Sequence, residues 1–238
     1  MIRALDHRPA LSPDSVCAVR LLSAYDNYAA YPFARFWEDG EGRFASLLDG
    51  VGVFCADTVT EEWLAFWGMQ PALAKLITDA RIGDEIAAYL QRPFARVDAM
   101  QAVDCAAGGQ AEPVSPKTAF ALLTAVFDDA IPPFDVWYAD VSHRTRHAGC
   151  RTVGVLRDGA CVSCAMTVAE CAGGALIGAV ATAPNARRQG LAGRLVNGLA
   201  NTLISEQKHV FICPKHEAAR RLYERIGFAV CGGVTTIG

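Results

Sequence analysis

The sequence predicts an α/β fold with a mixed central sheet flanked by helices, and it predicts two units. Segments with helical spacing of apolar residues alternate with short β-branched runs along the 238 residues. Hydrophobic residues make up 52% and charged residues 20%, which is enough apolar surface for a sizeable core. The stretch Cys105–Pro116 has no periodicity and is rich in small residues, Gly and Pro, as linkers are. We therefore expect one unit over residues 1–110 and another over 111–238.

The first unit should contain helices and strands in alternation after an initial helix and hairpin. In chain order the predicted segments are the helix SVCAVRLLSAYDNY, the hairpin ARFWEDGEGRFASLLDG, the strand VGVFCAD, the helix EEWLAFWGM, the strand ALAKLITD, the helix IGDEIAAYL and the strand FARVDAMQAV. The second unit has a similar order of elements, so we interpret the two as versions of one α/β unit.

The second unit begins with a predicted amphipathic helix, KTAFALLTAVFDDA, which Ser115 can cap. FDVWYADVSHRTRHAG should be helical and then irregular. CRTVGVLRDGACVSCAMTVAE is typical of a hairpin that turns at Asp158-Gly159. ALIGAVATA is hydrophobic throughout and is expected to be a central strand. A helix from LAGRLVNGLANTLISEQK, a strand HVFIC, a helix HEAARRLYERIG that ends at Gly227, and a strand from FAVCG complete the unit.

Charge and hydropathy exclude several classes of partner. The net charge of −3 gives no electrostatic reason to expect nucleic acid. The N-terminal MIRALDHRPALSPDS lacks an apolar run of signal-peptide length. No apolar run approaches the ~20 residues that span a bilayer. We expect a cytoplasmic protein with no membrane attachment.

The nine cysteines do not predict a metal site. Cys161 and Cys164 form a C-x-x-C, but they lie in a predicted strand, where residues three apart point to opposite faces. No second C-x-x-C exists to complete a zinc site. We therefore expect no metal and treat the thiols as small apolar side chains.

The segment TAPNARRQGLAGRL stands where the strand ALIGAV passes into a helix. The backbone N–H groups from Arg188 to Gly193 could line a cup at the helix N-terminus. Gly190, Ala192 and Gly193 would let a ligand approach the backbone, and Arg187 or Arg188 would add positive charge. A pyrophosphate would suit all these groups. The alternative is a surface turn at a helix start. The first unit has no such turn: CADTVTEEW places Asp57, Glu61 and Glu62 there, and these would repel a phosphate.

Two motifs resemble those of the GNAT superfamily of acyl-CoA-dependent N-acetyltransferases. RRQGLA matches the Q/R-x-x-G-x-G/A pattern of the acyl-CoA site, after a central strand and at a helix start. HEAARRLYERIGFAVCG matches a second signature through Leu222, Tyr223, Gly227 and Phe228. The resemblance covers the second unit and implies a GNAT-like fold there. From the order of its elements, the first unit is either a degenerate GNAT-like copy or an accessory α/β domain. His216 departs from the pattern, because many members carry Asn there to help hold the pantetheine arm.

The resemblance implies a site for acetyl-CoA as cosubstrate. The pantetheine arm would pair with the backbone of the central strand, an N–H near Val180 would stabilise the oxyanion, and Tyr223 would protonate the leaving thiolate. The alternative for Tyr223 is a core aromatic residue. The implied cofactor-binding residues are Val180, Ala181, Thr182, Arg187, Arg188, Gln189, Gly190, Leu191, Ala192 and Gly193.

The general base stays open among Asp140, His143, His147, Glu170 and water, since ALIGAVATA contains no acid. The histidines, with Arg144 and Arg146, could bind an acidic acceptor, or DVSHRTRH could be a solvated loop.

The sequence thus predicts acetyl transfer from acetyl-CoA to a primary amine of a small molecule or peptide, in a direct ternary complex. The alternative is a non-catalytic CoA-binding sensor or regulatory module. A nucleotide-binding protein is disfavoured, because no Walker Lys-Ser/Thr follows the glycines. A homodimer is compatible with either function.

Overall fold

The computed structural model describes residues 1–106, 108–109 and 111–238. In chain order its elements are β1 (Arg3–Ala4), α1 (Val16–Tyr28), β2 (Ala34–Glu38), β3 (Phe44–Leu48), β4 (Val51–Cys55), α2 (Glu61–Gly68), β5 (Lys75–Asp79), α3 (Ala80–Leu90), β6 (Phe94–Ala102), α4 (Pro116–Phe127), α5 (Phe134–Arg146), β7 (Thr152–Arg157), β8 (Ala160–Cys171), β9 (Gly174–Thr182), α6 (Leu191–Ser205), β10 (His209–Ile212), α7 (Glu217–Arg225) and β11 (Phe228–Ile237). Short 3₁₀ helices lie at Asp128–Ala130 and Pro184–Ala186. The predicted α/β class, with mixed strands and flanking helices, is confirmed. Among the described residues, no helix has both the length and the apolar character needed to cross a bilayer.

The chain divides into two compact units, Met1–Met100 with Val230–Gly238, and Gln101–Ala229. The domain boundary between residues 110 and 111 remains a prediction, and residues 107 and 110 of the predicted linker lie outside the described residues. The C-terminal end of β11 groups with the first unit, where it pairs antiparallel to β5 from Val234↔Asp79 to Ile237↔Leu76.

The first unit is built on the strand order β1-β2-β3-β4-β5-β11-β6. The β2–β3 and β3–β4 pairs are antiparallel, and β4–β5 is parallel. A large aromatic core lies against this sheet, with Phe54, Trp63 and Trp67 almost fully buried. Thr60 caps α2, its side chain accepting from the Trp63 N–H.

The second unit repeats the same pairing pattern in the order β10-β9-β8-β7. The β7–β8 and β8–β9 pairs are antiparallel, and β9–β10 is parallel. Ser115 caps α4, as expected, by accepting from the Thr118 N–H at 3.0 Å. At the end of α7, Gly227 has φ +97, and a Cβ there would lie 2.1 Å from the Asp104 carbonyl oxygen. Only glycine fits this helix end, which confirms the predicted stop.

The segment FDVWYADVSHRTRHAG is helical as far as Arg146 and then irregular, as predicted, so the alternative that DVSHRTRH is a solvated loop was wrong. Two features favour the helix. Val141 is buried on its inner face, and Arg144 pairs with Asp140 one turn earlier at 2.6 Å.

The segment predicted as a linker packs, where it is described, against α6. Asn197 and Asn201 each donate from Nδ2 to the carbonyl oxygens of Ala106 and Gly108, at 2.7–3.1 Å. A Cβ on Gly198 would lie 2.9 Å from the Gly109 carbonyl oxygen. The glycine therefore allows the segment to lie directly on the helix.

Candidate active site

A gap opens beside β9, because its parallel partner ends early. The β9–β10 pairing runs from Gly174↔His209 to Ile177↔Ile212, where β10 stops. β9 continues from Gly178 to Thr182 and so carries Val180, Ala181 and Thr182 past the end of its partner. The backbone groups on that side of β9 can pair with an extended ligand.

β9 also bulges within the gap. Cys164 pairs with Ala181 and Met166 with Gly178, so three steps along β9 match two along β8. Ala179 takes a positive φ of 49°, which is unusual for a residue with a Cβ. A bulge turns backbone groups away from the regular ladder and is frequent beside active sites. It lies next to Val180, where the resemblance places the oxyanion donor.

The turn after β9 exposes a series of backbone donors. Arg188 and Gly190 have φ of 61° and 73°, and Gln189 between them does not share the positive sign. Alternation of this kind forms a concave nest of N–H groups. In the part of the chain that the structure describes, no acceptor binds the N–H groups from Arg188 to Gly193. The first helical bond, from the Arg194 N–H to the Gly190 carbonyl, measures 3.1 Å. The nest can hold an anion.

Arginine side chains supply positive charge around this nest. Arg187 Nε donates to the Thr182 carbonyl at 3.2 Å, which ties the turn to the end of β9. Arg188 is exposed. Arg157, on the β7–β8 hairpin, donates from Nη2 to Gln189 Oε1 at 2.6 Å. Sequence analysis missed Arg157, because its only signal was a position just before the Asp158-Gly159 turn.

The two glycines of the motif have different roles. A Cβ on Gly190 would meet nothing within 4 Å, so its backbone faces open space and glycine is favoured by the positive φ. A Cβ on Gly193 would lie 3.2 Å from Leu222 Cδ1, so this glycine lets α7 pack closely on α6. Leu191 is also buried. The absence of a side chain at Gly193 therefore serves the packing of the two helices. Sequence analysis did not predict this role.

Tyr223 lies on α7 with its ring buried. Burial, together with a smaller effect of the nearby Cys213 just past the end of β10, raises the pKa of its hydroxyl to about 12. Among the described residues, no hydrogen bond involves this hydroxyl. Tyr223 therefore stays protonated across the ordinary pH range and keeps its proton available near the end of β10.

His216, the residue that departs from the family pattern, caps the helix that carries Tyr223. Its Nδ1 accepts from the Ala219 N–H at 3.1 Å. That nitrogen must be unprotonated to accept, so a neutral imidazole carries its hydrogen on Nε2. An imidazole thus does here what an asparagine side chain does at many helix starts.

Replacing His216 by Ala should lower the free energy of unfolding by ~0.5–2 kcal/mol, because the α7 cap is lost. Replacing it by Asn should change stability much less, since Asn can accept the same hydrogen bond. Denaturant unfolding of both variants measures the difference. Equal destabilisation by Ala and Asn would contradict a capping role.

Glu170 is buried in an ion-pair cluster at the other end of the β8–β9 pair. It accepts from Arg151 Nη2 at 2.7 Å, from Lys208 Nζ at 2.5 Å and from Thr167 Oγ1 at 2.9 Å. Glu170 pairs with Ala175, five residues before Val180 along β9. At ~3.3 Å per residue, Ala175 and its partner Glu170 lie about 17 Å from Val180. These contacts and this distance argue against Glu170 as the base.

The Glu170→Ala variant should lose ~1–3 kcal/mol of stability, because the partly buried Arg151 and Lys208 lose their fully buried shared partner. Glu206 also pairs with Arg151, at 2.6 Å, but its side chain is 38% exposed. The matched change Glu206→Ala should therefore cost only ~0–1 kcal/mol. Urea unfolding of both variants measures these losses of stability. Equal losses would contradict a structural role for the cluster.

The other candidate bases lie on or beside α5. Asp140 is paired with Arg144, and the rings of His143 and His147 lie 4.5 Å apart. Arg144 Nη1 also reaches the Val168 carbonyl at 3.4 Å. Val168 packs so tightly on Gly178 that a Cβ there would lie 2.9 Å from its side chain. This chain of contacts links Arg144 of α5 to Gly178, where the gap starts.

Comparison with known proteins agrees with this architecture. Residues 152–234 match the family model FR47-like protein. A GCN5-related N-acetyltransferase from Kribbella flavida is 17% identical, with TM-score 0.57 over 82% of this chain and 86% of its own. A GNAT-family protein from Novosphingobium aromaticivorans is 15% identical, with TM-score 0.60 over 92% and 95%.

A GNAT-family acetyltransferase from Colwellia psychrerythraea is 13% identical, with TM-score 0.56 over 100% of this chain and 98% of its own. No curated protein matches the chain. At these identities the solved structures establish the fold. The predicted resemblance is confirmed: the chain has the α/β fold of the GNAT superfamily, and residues 152–234 match its FR47-like family.

Proposed function

We propose that this chain transfers an acetyl group from acetyl-CoA to a primary amine, with both substrates bound at once. The observation that carries the proposal is that the gap beside β9 leads directly into the nest of N–H groups at the start of α6. β9 leaves β10 after Ile177, bulges at Ala179, and leads through one short turn into the open N–H groups from Arg188 to Gly193. An extended ligand with a diphosphate at one end matches that arrangement.

The diphosphate would be held by the N–H groups at the start of α6 and by the charges of Arg187, Arg188 and Arg157. Gln189, fixed by Arg157, orients that side of the turn. The pantetheine arm would run along Val180, Ala181 and Thr182 and hydrogen-bond to their backbone. The N–H of Val180, beside the bulge, would face the carbonyl oxygen as it gains negative charge.

The amine would attack the thioester carbonyl, and the carbon–sulfur bond would then break. We assign Tyr223 as the donor of the proton that the leaving sulfur takes up, because its raised pKa keeps the hydroxyl protonated. The proton lost by the amine would pass to Asp140, His143 or His147, or to water. These side chains lie on or beside α5, which also lines the approach for the acceptor.

The acceptor is a primary amine of a small molecule or a peptide. An acceptor that also carries a carboxylate would suit Arg146, which is exposed near the end of α5. Arg144 is less available for this, because Asp140 and the Val168 carbonyl already accept from it.

We also propose that the first unit is a degenerate copy that binds no acyl-CoA. Its parallel pair β4–β5 stays joined as far as Phe54↔Thr78, one residue before β4 ends. The Thr78 hydroxyl donates to the Phe54 carbonyl at 3.1 Å and closes the position where β9 is open. The turn that follows carries Asp57, already paired with Arg81 at 2.9 Å.

A panel of primary amines incubated with acetyl-CoA tests the proposal. We expect CoA release that depends on the added amine. The released CoA is measured by chromatography, so that the protein's own thiols do not interfere. The alternative sensor function is kept open by the lack of an acid on β9. Acetyl-CoA binding measured by calorimetry, with no release for any amine, would favour the sensor over the enzyme.

A further inference from the structure

The C-x-x-C of β8 does not have the geometry expected of a regular strand. Leu156 pairs with Cys161 and Val155 with Ser163, so β8 holds one extra residue, Val162, at this point. The ladder then continues with Gly154↔Cys164. Leu156 and Gly154 are two apart on β7 and share a face, so their partners Cys161 and Cys164 share a face as well. The expectation that the two side chains point to opposite faces was wrong.

The Cys161 thiol lies against Gly154, the residue that pairs with Cys164. A Cβ on Gly154 would lie 3.3 Å from Cys161 Sγ, so this sulfur leans over the residue that pairs with Cys164. Each thiol donates to a backbone carbonyl, Cys161 to that of Ser163 at 3.4 Å and Cys164 to that of Ala179 at 3.7 Å. A Cys161 thiolate could accept the S–H of Cys164 instead, which lowers the pKa of Cys161 and raises that of Cys164. Cys161 is half-buried, whereas Cys164 is fully buried in the core beside Met166.

We propose that Cys161 and Cys164 form a reversible dithiol–disulfide site, with Cys161 as the attacking thiol and Cys164 as the resolving thiol. The placement matches the roles, because the attacking sulfur must be reachable from solvent and the resolving sulfur must lie beside it. The oxidant is a low-molecular-weight disulfide, which can reach a half-buried thiol without any partner protein.

The exchange balances in two steps. The Cys161 thiolate attacks one sulfur of the small disulfide, forms a mixed disulfide and releases one thiolate, which takes up the proton that Cys161 lost. Cys164 gives its proton to solvent, and its sulfur attacks that of Cys161 and displaces the second small thiolate, which is protonated in turn. The chain loses two electrons and two hydrogens, and the small disulfide becomes two thiols.

The site is connected to the β9 bulge. Cys164 donates its S–H to the carbonyl of Ala179, the bulge residue, at 3.7 Å. A disulfide sulfur carries no hydrogen, so oxidation removes this contact. The backbone hydrogen bonds of β9 from Gly178 to Thr182 should then break more readily. If the proposed acyl-CoA site is correct, the oxidised chain should also bind acetyl-CoA more weakly.

The test treats the full chain with oxidised glutathione, traps free thiols by alkylation and counts them after denaturation. We expect the count to fall from nine to seven, because one disulfide consumes two thiols. Trypsin should release the peptide 158–187 alkylated only at Cys171, lighter by two alkyl groups than the same peptide from the reduced chain, in which all three cysteines are alkylated. The control Cys231→Ser, at an exposed position, should form the same link.

Two variants separate the roles of the thiols. Cys164→Ser should stop at a mixed disulfide of glutathione on Cys161, and Cys161→Ser should leave Cys164 reduced. A wild-type chain that stays at the mixed disulfide, links either cysteine to Cys171, or does not react would overturn the proposal. Hydrogen exchange at residues 178–182 tests the coupling without any acetyl-CoA. Unchanged exchange in the linked chain would overturn the coupling to β9.

Discussion

The Tyr223→Phe variant should release CoA ~10²–10⁴-fold more slowly than the wild-type chain at saturating acetyl-CoA and amine. The change removes one hydroxyl and keeps a ring that packs 6.3 Å from Phe228, so the fold should be retained. The thiolate must then take its proton from water. Affinity for acetyl-CoA should change little, because the assigned role begins only when the carbon–sulfur bond breaks. Tyr89→Phe, which removes an exposed hydroxyl in the first unit, is the matched control and should keep full turnover.

The pH dependence of this effect follows from the raised pKa. Tyr223 acts in its protonated form, and with a pKa of about 12 it stays protonated well above the range of ordinary assays. The ratio of wild-type to Phe-variant rates should therefore stay constant between about pH 7 and pH 10. Near-wild-type turnover of Tyr223→Phe, with chemistry shown to limit the rate, would leave Tyr223 as a core aromatic residue.

The second large effect is expected at Gly190, where an added charge would meet the diphosphate. Asn and Asp have similar shapes and both tolerate positive φ better than other residues with a Cβ, so the pair isolates charge from backbone strain. Neither side chain meets an atom within 4 Å at its Cβ. A like charge a few ångströms away costs about 1–3 kcal/mol.

Gly190→Asp should therefore bind acetyl-CoA about 5–150-fold more weakly than Gly190→Asn, by calorimetry. The difference should shrink as salt is added, because the interaction is between exposed charges. Equal affinities of the two folded variants at low salt would place the diphosphate elsewhere.

Local patterns were enough to predict most elements of the fold. The strand–turn–helix around Arg188 and the start of α4 at Ser115 follow from hydrophobic spacing and capping chemistry, which act over a few residues. The place of β11 does not, because its pairing with β5 joins Val234 to Asp79, far apart in the sequence. No local preference encodes which distant strand supplies a partner.

Two of the bulges in the sheet explain what the sequence could not reveal of the candidate site. One extra residue at Val162 reverses the alternation of β8 and brings Cys161 to the face of Cys164. Another distorts β9 at Ala179, and neither position carries a glycine that would have indicated it. Bulges depend on the register of two strands. A motif in one strand can therefore predict the turn that follows, but not the gap beside it.

Hydrogen exchange of the chain with and without acetyl-CoA tests the central claim most directly. We predict slower exchange at the amides from Arg188 to Gly193 and from Gly178 to Thr182, and no change from Asp57 to Trp63 in the first unit. Protection of the Asp57–Trp63 turn, or of neither turn at saturating acetyl-CoA, would contradict the assignment of the acyl-CoA site to the end of β9 and the start of α6.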